Sequence, residues 1–459
     1  MSCTNKPFST MPSILQKIKD WLNPSVSLKN VSSPAPVQIN KPITVHAVVT
    51  SPTPDDTLLL RKVKLIMVTA ENNNKVYEME ENPDGTFTAI YGRVGSKSSK
   101  VSYPIAEWNT KYKEKLAKGY TDQTHLFADS APETDTSTIE DVNTRNLIEK
   151  LMQYATNSIK HNYVVSANQV TRKQVEEAQQ LIDNLAKAMR SGLNLDEFNQ
   201  TLLALYKIIP RKMGKVNEHL ITANDTSQRI NDKLGDEQET LDVMRTQVEI
   251  FEQQKGQSPT EELGFLESIG LSISPVEDPR IVKLIKLMMG DSVHKYHSAY
   301  GISNLKTQKL FENWLPTTSN KKTQLFWHGS RNENWLSIIK TGLALRPANA
   351  VITGKMFGNG IYFANEFKKS INYTSISGSV WAGGKEKDAY LAIYEVHTGN
   401  QLEISQHDNS CLNLDLKALQ KRGKYDSVYA KRGVSLLNNE YIVYRENQCT
   451  IKYLVKIKP

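Results

Sequence analysis

The spacing of apolar residues changes twice along this chain of 459 residues. Up to about residue 130 they fall in short β-type runs between turn residues, and from about 140 to 257 they recur every three or four positions. Beyond Pro259, short strand-like runs alternate with short helical ones. Because a period of two fits strands and a period of 3.6 fits helices, the pattern predicts an α+β multidomain protein. The length agrees with about three domains.

Residues 1–54 are predicted to be a disordered tail or linker. The second half of this stretch is rich in Ser, Val, Thr and Pro. Its prolines would interrupt any helix, and they are Pro34, Pro36, Pro42, Pro52 and Pro54.

A small antiparallel-sheet domain is predicted for residues 55–130. Strand-like runs at 62–69, 75–80 and 86–94 are separated by two turn signals, Asn72-Asn73-Asn74 and Asn82-Pro83-Asp84-Gly85. A helical run from 105 to 116 follows them.

Residues 140–257 are predicted to form an all-α helical bundle. One amphipathic helix is expected to begin at Ser166, with Gln169 completing a capping box, and to end at Gly192. A second is expected over 195–209, and a third, more polar helix over 226–254. The bundle carries no evident chemistry.

Residues 258–459 are predicted to be a mixed α+β domain built on β-sheets. The helical segments are too few for a regular βαβ alternation. The expected strands are 324–327, 360–363, 389–396 and 441–444, and the expected helices are 334–340 and 366–373.

Charge and cysteine content place only weak limits on the binding partners and cellular compartment of the protein. The net charge of +8 comes from 57 basic and 49 acidic residues, which is a mild basic excess. The three cysteines, Cys3, Cys411 and Cys449, are odd in number, widely separated and not arranged as C-x-x-C pairs. This pattern favours a reducing, intracellular compartment over a disulfide framework or a zinc site. The longest apolar runs are far shorter than the roughly 18 residues of a membrane span, so no membrane association is expected.

Three motifs in the last third contain residue types suited to catalysis. They are His328-Gly329-Ser330, then Gly360-Ile361-Tyr362-Phe363-Ala364 with Tyr373 nine residues later, and Asn439-Glu440-Tyr441. Each has a structural alternative, since the histidine and tyrosines could be core residues and the glutamate an edge charge. Gly358 and Gly360 match the first two glycines of a dinucleotide-binding fingerprint. That motif is excluded because Phe363 stands where the third glycine belongs.

Together the motifs could build a pocket for a flat heteroaromatic amide attached to a sugar. Tyr362 and Tyr373 could stack on the ring, while the Gly329 backbone and the Ser330 hydroxyl could bind the amide. A sugar leaving such a ring passes through an oxocarbenium-like state, which a nearby carboxylate such as Glu440 would stabilise.

These motifs resemble those of the catalytic domain of the poly(ADP-ribose) polymerases, and the resemblance extends from about Ser258 to Pro459. The resemblance implies cleavage of NAD+ at the nicotinamide bond and transfer of ADP-ribose, without a metal. It implies that His328 holds a ribose hydroxyl, that Tyr362 and Tyr373 stack on nicotinamide, and that Gly329 and Ser330 bind its carboxamide. Glu440 would stabilise the transition state and orient the acceptor, with His328 and Tyr373 as the other catalytic residues. Asn334 and Lys369 match further family positions near the adenosine and acceptor sides, and both are predicted to take part in cofactor binding.

Two departures from the family pattern concern the donor and acceptor sides. Ala344 stands where the family has an arginine, and Arg346 is the predicted substitute in cofactor binding. The segment between Val396 and Asn439 is short for an acceptor-side region.

The first two domains also resemble parts of this family. The run Tyr91-Gly92-Arg93 is similar to the signature of a WGR domain, with Tyr91 in place of Trp. This implies a DNA-binding domain, with Tyr91, Arg93, Lys97 and Lys100 as candidate contacts, although a solvated helix face and hairpin are the alternative. The bundle is similar in position to the family's helical regulatory domain, a structural or dimerising bundle being the alternative.

The resemblance implies a nuclear NAD+-dependent poly-ADP-ribosyltransferase that is stimulated by DNA ends or breaks. Its acceptors would be proteins, including itself. A mono-ADP-ribosyltransferase and a non-catalytic scaffold that binds DNA or NAD+ are the alternatives.

Overall fold

The computed structural model describes residues 60–127, 134–192, 194–256, 264–345, 356–376 and 387–458. The predicted tail at 1–54 and the candidate donor-site residue Arg346 lie outside these ranges. The described residues contain several antiparallel sheets and many helices, so the predicted α+β class is confirmed.

The first sheet has five strands in the order β4-β3-β2-β1-β5. Tyr77 and Phe87 are buried on one face of this sheet, against Trp108 at the start of the following helix. The elements are β1 (Lys62–Thr69), β2 (Asn73–Glu81), β3 (Thr86–Arg93), β4 (Ser99–Pro104), α1 (Trp108–Ala117) and β5 (Thr121–Asp122).

Four long helices follow, namely α2 (Val142–Asn162), α3 (Arg172–Ser191), α4 (Leu195–Ile208) and α5 (Ser227–Gly256). The predicted helix start at Ser166 is wrong. Ser166 and Gln169 cap only a short 3-10 turn, while α3 begins after Thr171, which forms its own capping box with Gln174. Two capping boxes five residues apart therefore give the same sequence signal, and the residues between them turn the chain.

The described residues from 264 onward form two further sheets. Their orders are β6-β7-β14-β10-β8 and β11-β12-β13-β9. The strands are β6 (Leu271–Pro275), β7 (Tyr296–Asn304), β8 (Thr323–Gly329), β9 (Ile361–Phe363), β10 (Ala389–His397), β11 (Gln401–Ile404), β12 (Ser427–Ala430), β13 (Glu440–Val443) and β14 (Cys449–Ile457). The helices are α6 (Phe265–Ser268), α7 (Pro279–Met289), α8 (Leu305–Trp314), α9 (Trp335–Thr341), α10 (Phe367–Ser370) and α11 (Leu416–Gly423).

A single antiparallel bridge joins the ends of β8 and β9. The backbone N–H of Trp327 donates to the Ala364 carbonyl at 2.8 Å, and the N–H of Ala364 donates to the Trp327 carbonyl at 3.0 Å. Because β13 pairs with β9 with Ile442 opposite Tyr362, the first residue of β13 lies beside the same bridge. This junction brings three distant motifs to one place.

One continuous apolar core connects the three regions. It includes Ile66 of β1, Ile148 of α2, Phe198 of α4, Met244 of α5 and Tyr394 of β10. Burial of these shared apolar side chains holds the helices against both the first sheet and the last part of the chain. Among the described residues, no helix combines the length and apolar character that crossing a membrane requires.

Candidate active site

A cavity of about 410 Å³ lies at the junction of β8, β9 and β13, with α5 along one side. This is within the usual range for small-molecule sites. It is lined by all the predicted donor-site and catalytic residues that the structure describes, namely His328, Gly329, Ser330, Asn334, Tyr362, Lys369, Tyr373 and Glu440.

His328 is fixed in orientation near the end of β8. Its Nδ1 lies 3.0 Å from the Tyr362 carbonyl oxygen. Because a carbonyl only accepts, Nδ1 carries the proton and donates, which defines the tautomer of the neutral ring. The rings of Trp335, Phe363 and Tyr394 surround the imidazole edge to face, with centroids 5.8 to 6.4 Å away.

Gly329 lies directly against the last residue of α10, Ser370. A Cβ at this position would overlap the Ser370 carbonyl oxygen and would lie 3.4 Å from the Tyr373 Cβ. Glycine is therefore required by close backbone approach. The same closeness leaves the Gly329 backbone next to the Tyr373 ring, where a planar amide could reach both.

The two predicted stacking tyrosines are held differently. The Tyr362 hydroxyl donates to the Gly358 carbonyl at 2.8 Å and accepts from the Phe357 N–H at 3.0 Å. Burial raises the pKa of Tyr362 well above its usual value. Tyr373 is 47% exposed, and burial of part of the ring together with the charge of Glu440 raises its pKa. Tyr362 is thus a fixed wall, and Tyr373 a face open to the cavity.

Glu440 begins β13 and forms an ion pair with Lys369 of α10. Both side chains are only 13% exposed. A carboxylate held here by a lysine lies in the same cavity as His328, as the proposed chemistry requires.

Helix α5 contributes residues that the sequence did not indicate. Glu239 Oε2 accepts from Arg331 Nη2 at 2.6 Å and from Asn334 Nδ2 at 2.9 Å. Asn334 Nδ2 also donates to the Ser330 hydroxyl at 3.1 Å. The predicted donor-site residue Asn334 is therefore engaged by the helical region. The sequence predicted a polar helix over 226–254 but did not single out Glu239.

The four candidate DNA contacts lie on β3, on β4 and in the loop between these two strands. Tyr91 is 37% exposed and stacks on Tyr77, with ring centroids 5.9 Å apart. Lys97 and Lys100 are exposed. The Arg93 guanidinium donates to the Asn72 carbonyl at 3.0 Å and also to the Gly214 carbonyl. Arg93 thus links the sheet to the loop between α4 and α5.

Within the ranges that the structure describes, no three His, Cys, Asp or Glu side chains are grouped as metal ligands would be. The two cysteines in those ranges, Cys411 and Cys449, are free thiols and buried.

Comparison with known proteins agrees with this geometry. The family model of the poly(ADP-ribose) polymerase catalytic domain matches residues 277–459. A putative poly [ADP-ribose] polymerase-like protein, 100L, from Invertebrate iridescent virus 6 is 35% identical over 168 residues, which are 36% of this chain and 87% of that protein. The uncharacterised protein 101L of the same virus is 36% identical over 185 residues, 40% of this chain and 76% of the relative.

A longer but weaker similarity extends beyond the matched domain. Poly [ADP-ribose] polymerase 2 from Zea mays is 28% identical over 305 residues, covering 60% of this chain and 44% of the maize protein. The chain thus spans less than half of that relative.

A mixed α+β fold with these motifs around one cavity defines an NAD+ ADP-ribosyltransferase. The chain belongs to the poly(ADP-ribose) polymerase family. NAD+ is its substrate, and the predicted enzyme class is confirmed.

Proposed function

We propose that this enzyme is a protein poly-ADP-ribosyltransferase, stimulated by DNA ends or breaks, that releases nicotinamide and modifies protein acceptors including itself. The convergence of Glu440, His328 and Tyr373 on one cavity carries the catalytic part of this proposal. Similarity to proteins named as polymerases supports the product.

In this proposal each cavity residue has one task. His328 donates from Nδ1 to the Tyr362 carbonyl, which fixes its ring, and it holds a ribose hydroxyl of NAD+. Tyr373 provides a face for the nicotinamide ring, and Gly329 and Ser330 bind the carboxamide. As the glycosidic bond breaks, Glu440 stabilises the positive charge on the ribose. Lys369 holds Glu440 in place.

The same carboxylate has a second task during elongation. An acceptor hydroxyl must approach the ribose from the face opposite the leaving nicotinamide. Glu440 accepts a hydrogen bond from the acceptor ribose and so orients the attacking hydroxyl. Loss of this contact should affect transfer to an acceptor more than transfer to water.

We further propose that residues 55–130 bind DNA and that residues 140–257 regulate access to the catalytic domain, residues 258–459. The contact of Glu239 with Asn334 and Arg331 supports regulation, because α5 forms one side of the donor cavity. The Arg93 contact with Gly214 connects the sheet to the helical region. On this proposal, the protein is nuclear.

The decisive experiment is incubation with labelled NAD+, with and without nicked DNA, at low salt. We expect automodification and nicotinamide release that both rise when DNA is added. Equal rates would contradict DNA stimulation, and the lack of any nicotinamide release would leave a binding scaffold as the remaining reading.

A mono-ADP-ribosyltransferase is the second candidate. The short acceptor-side region favours it, because only β11, α11 and β12 lie between β10 and β13 among the described α-helices and strands. Gel sizing of the labelled product distinguishes the two, since a polymerase yields a ladder or smear and a mono-transferase a single shift.

A further inference from the structure

The strands that carry His328 and Glu440 belong to two different sheets. In the described sheets β8 is an edge strand of one and β9 an edge strand of the other, and β13 pairs with β9. A backbone bridge between Trp327 and Ala364 joins β8 to β9. Because this bridge involves one residue pair, the distance between His328 and Glu440 also depends on side chains that pack between the two sheets.

An aromatic stack makes a direct side-chain contact between β8 and β13. Tyr441 follows Glu440 in β13, and its ring stacks on Phe326 of β8 with centroids 4.1 Å apart and planes 28° apart. The Tyr441 ring also stacks on Tyr429 of β12, with centroids 4.8 Å apart and planes 9° apart. Phe326 is buried, while Tyr429 and Tyr441 are half-buried. A ring that stacks this closely on two others has little freedom to tilt.

The same packed rings continue to the catalytic histidine. Phe326 lies 6.5 Å from Phe363, and Phe363 lies 5.8 Å from His328, both measured between ring centroids. Successive side chains of a strand point to opposite faces, so Glu440 lines the donor cavity while the Tyr441 ring packs on the other face of β13. Tyr441 is therefore coupled to both catalytic side chains through packing.

We propose that Tyr441 is a positioning residue, whose stacked ring holds the Glu440 carboxylate at its place in the cavity. Glu440 is the first residue of β13 and follows residues 431–439, which form no helix or strand. Its orientation therefore depends strongly on the residue after it. The inference rests on the proposed role of Glu440. It assigns the effect to the flat ring of Tyr441 and not to the hydroxyl.

The test compares two substitutions of this ring. Tyr441→Leu removes the flat ring but keeps an apolar side chain, and Tyr441→Phe keeps the stack. Nicotinamide release from labelled NAD+ is measured with nicked DNA present, at a temperature well below the melting temperature of every variant. Tyr453→Leu is the matched control, since Tyr453 is a half-buried strand tyrosine of the same domain that packs in a different apolar cluster.

We expect kcat in Tyr441→Leu to fall by about 10- to 100-fold, because a small displacement of a catalytic group has effects of this size. The KM for NAD+ and the dissociation constant of nicotinamide should stay within about twofold of wild type, since the donor-binding residues are unchanged. Tyr441→Phe and Tyr453→Leu should keep kcat within about threefold. A folded Tyr441→Leu with wild-type kcat, or an equal loss in Tyr441→Phe, would overturn the inference.

A double-variant cycle with Glu440→Gln separates positioning from general disruption of the domain. If Tyr441 acts through Glu440, adding Tyr441→Leu to Glu440→Gln should lower kcat by less than about twofold further, because the two changes remove the same interaction. A further loss as large as that of Tyr441→Leu alone would show an effect independent of Glu440 and would also overturn the inference.

Tyr429→Leu keeps the inference testable if Tyr441→Leu does not fold. It removes one of the two rings stacked on Tyr441, so kcat should fall by about threefold with KM unchanged. An unchanged kcat in folded Tyr429→Leu would then count against positioning. Failure of the proposed function gives a different result. Wild-type kcat in Glu440→Gln would refute the role of Glu440 and the inference with it, whereas a slow Glu440→Gln beside a fast Tyr441→Leu would refute the inference alone.

Discussion

At the scale of single residues, the site depends on a few positions that tolerate little change. Gly329 is set by the space it occupies, Glu440 by its charge, and His328 by its hydrogen bond to Tyr362. These are different physical requirements, so their variants should fail in different ways.

Glu440→Gln keeps the shape of the side chain and removes its charge. Losing one electrostatic stabiliser of a transition state typically costs about 2.7–4 kcal/mol, so we expect a 100- to 1000-fold loss of transfer. Chain elongation should fall further than NAD+ hydrolysis, measured as labelled product against free nicotinamide. Glu403→Gln, at a solvent-exposed ion pair, is the control and should be near wild type. Equal losses in elongation and hydrolysis would argue against the second task of Glu440.

Gly329→Ala should impair the nicotinamide side of the cavity. The added methyl group would overlap the Ser370 carbonyl, so the turn carrying Tyr373 must move. We expect a raised dissociation constant for nicotinamide and a raised KM for NAD+, both measured at equal folded fraction. Gly214→Ala is the control, since a Cβ there meets no atom within 4 Å. Unchanged nicotinamide affinity in Gly329→Ala would contradict this assignment.

At the scale of elements, α5 is the part of the structure with most consequences. Glu237 of this helix forms a buried ion pair that holds the helical region together, and residues on either side of Glu237 line the donor cavity.

The buried pair links Glu237 of α5 to Arg211, whose Nη2 lies 3.3 Å from Glu237 Oε2. Burial alone would raise the pKa of Glu237, but the charges of Arg211 and Lys233 outweigh it and lower that pKa. Arg211→Met should lower the free energy of unfolding by about 3–5 kcal/mol, because it leaves a buried charge unpaired. Arg229→Met is the control, since Arg229 is 71% exposed and should cost less than about 1 kcal/mol.

The pH dependence of the stability loss in Arg211→Met tests whether the unpaired charge of Glu237 is its cause. In the wild type the folded pKa of Glu237 is depressed, so its stabilising contribution exists above the unfolded pKa and is lost as pH falls through the folded value. In Arg211→Met we expect that pKa to rise, so protonation relieves the penalty. Denaturant titrations should therefore show a smaller difference between variant and wild type at acidic pH than at neutral pH. A difference independent of pH would indicate lost packing instead.

The contact of Glu239 with Arg331 and Asn334 should hold α5 against the cavity. Glu239 is 49% exposed, so an ion pair of this kind contributes roughly 0.2–1 kcal/mol. We therefore expect Glu239→Ala to raise NAD+ turnover without DNA by about 2- to 5-fold and to change the DNA-stimulated rate little. Glu252→Ala, also exposed on α5, should leave both rates unchanged. A fall in the basal rate would contradict a restraining role for this contact.

At the scale of the whole molecule, DNA stimulation requires the first sheet to influence the donor cavity in the last part of the chain. The structure contains a physical connection, since Arg93 contacts Gly214 and the Asn74 side chain donates to the Arg211 carbonyl at 3.3 Å.

Salt dependence tests the DNA part of this connection. Binding through phosphates weakens as salt is raised, and each neutralised phosphate contributes about 0.9 to the slope of log affinity against log salt. Lys97→Ala with Lys100→Ala should reduce that slope by about 2, measured by fluorescence anisotropy with nicked DNA. The double variant Lys309→Ala with Lys417→Ala removes exposed charges elsewhere and should leave the slope unchanged. An unaltered slope in the first variant would place the DNA surface elsewhere.

The sequence predicted features that depend on neighbouring residues in the chain better than features that depend on packing between distant residues. The strands around His328, Tyr362 and Glu440 were predicted within about two residues, because alternation and turn residues act locally. The start of α3 was missed, since Ser166 and Thr171 carry the same capping signal and only packing decides between them.

The sequence by itself determined the element types, the three motifs and the chemistry those residue types allow, since each depends on side chains and short-range backbone preferences. Only the tertiary structure decided that β8 and β9 are joined at Trp327 and Ala364, which places Glu440 beside His328. It also decided that Glu239 contacts Asn334. The residues brought together lie about 40 to more than 100 positions apart in the chain. Their formation depends on burial of the shared core, which no local pattern encodes.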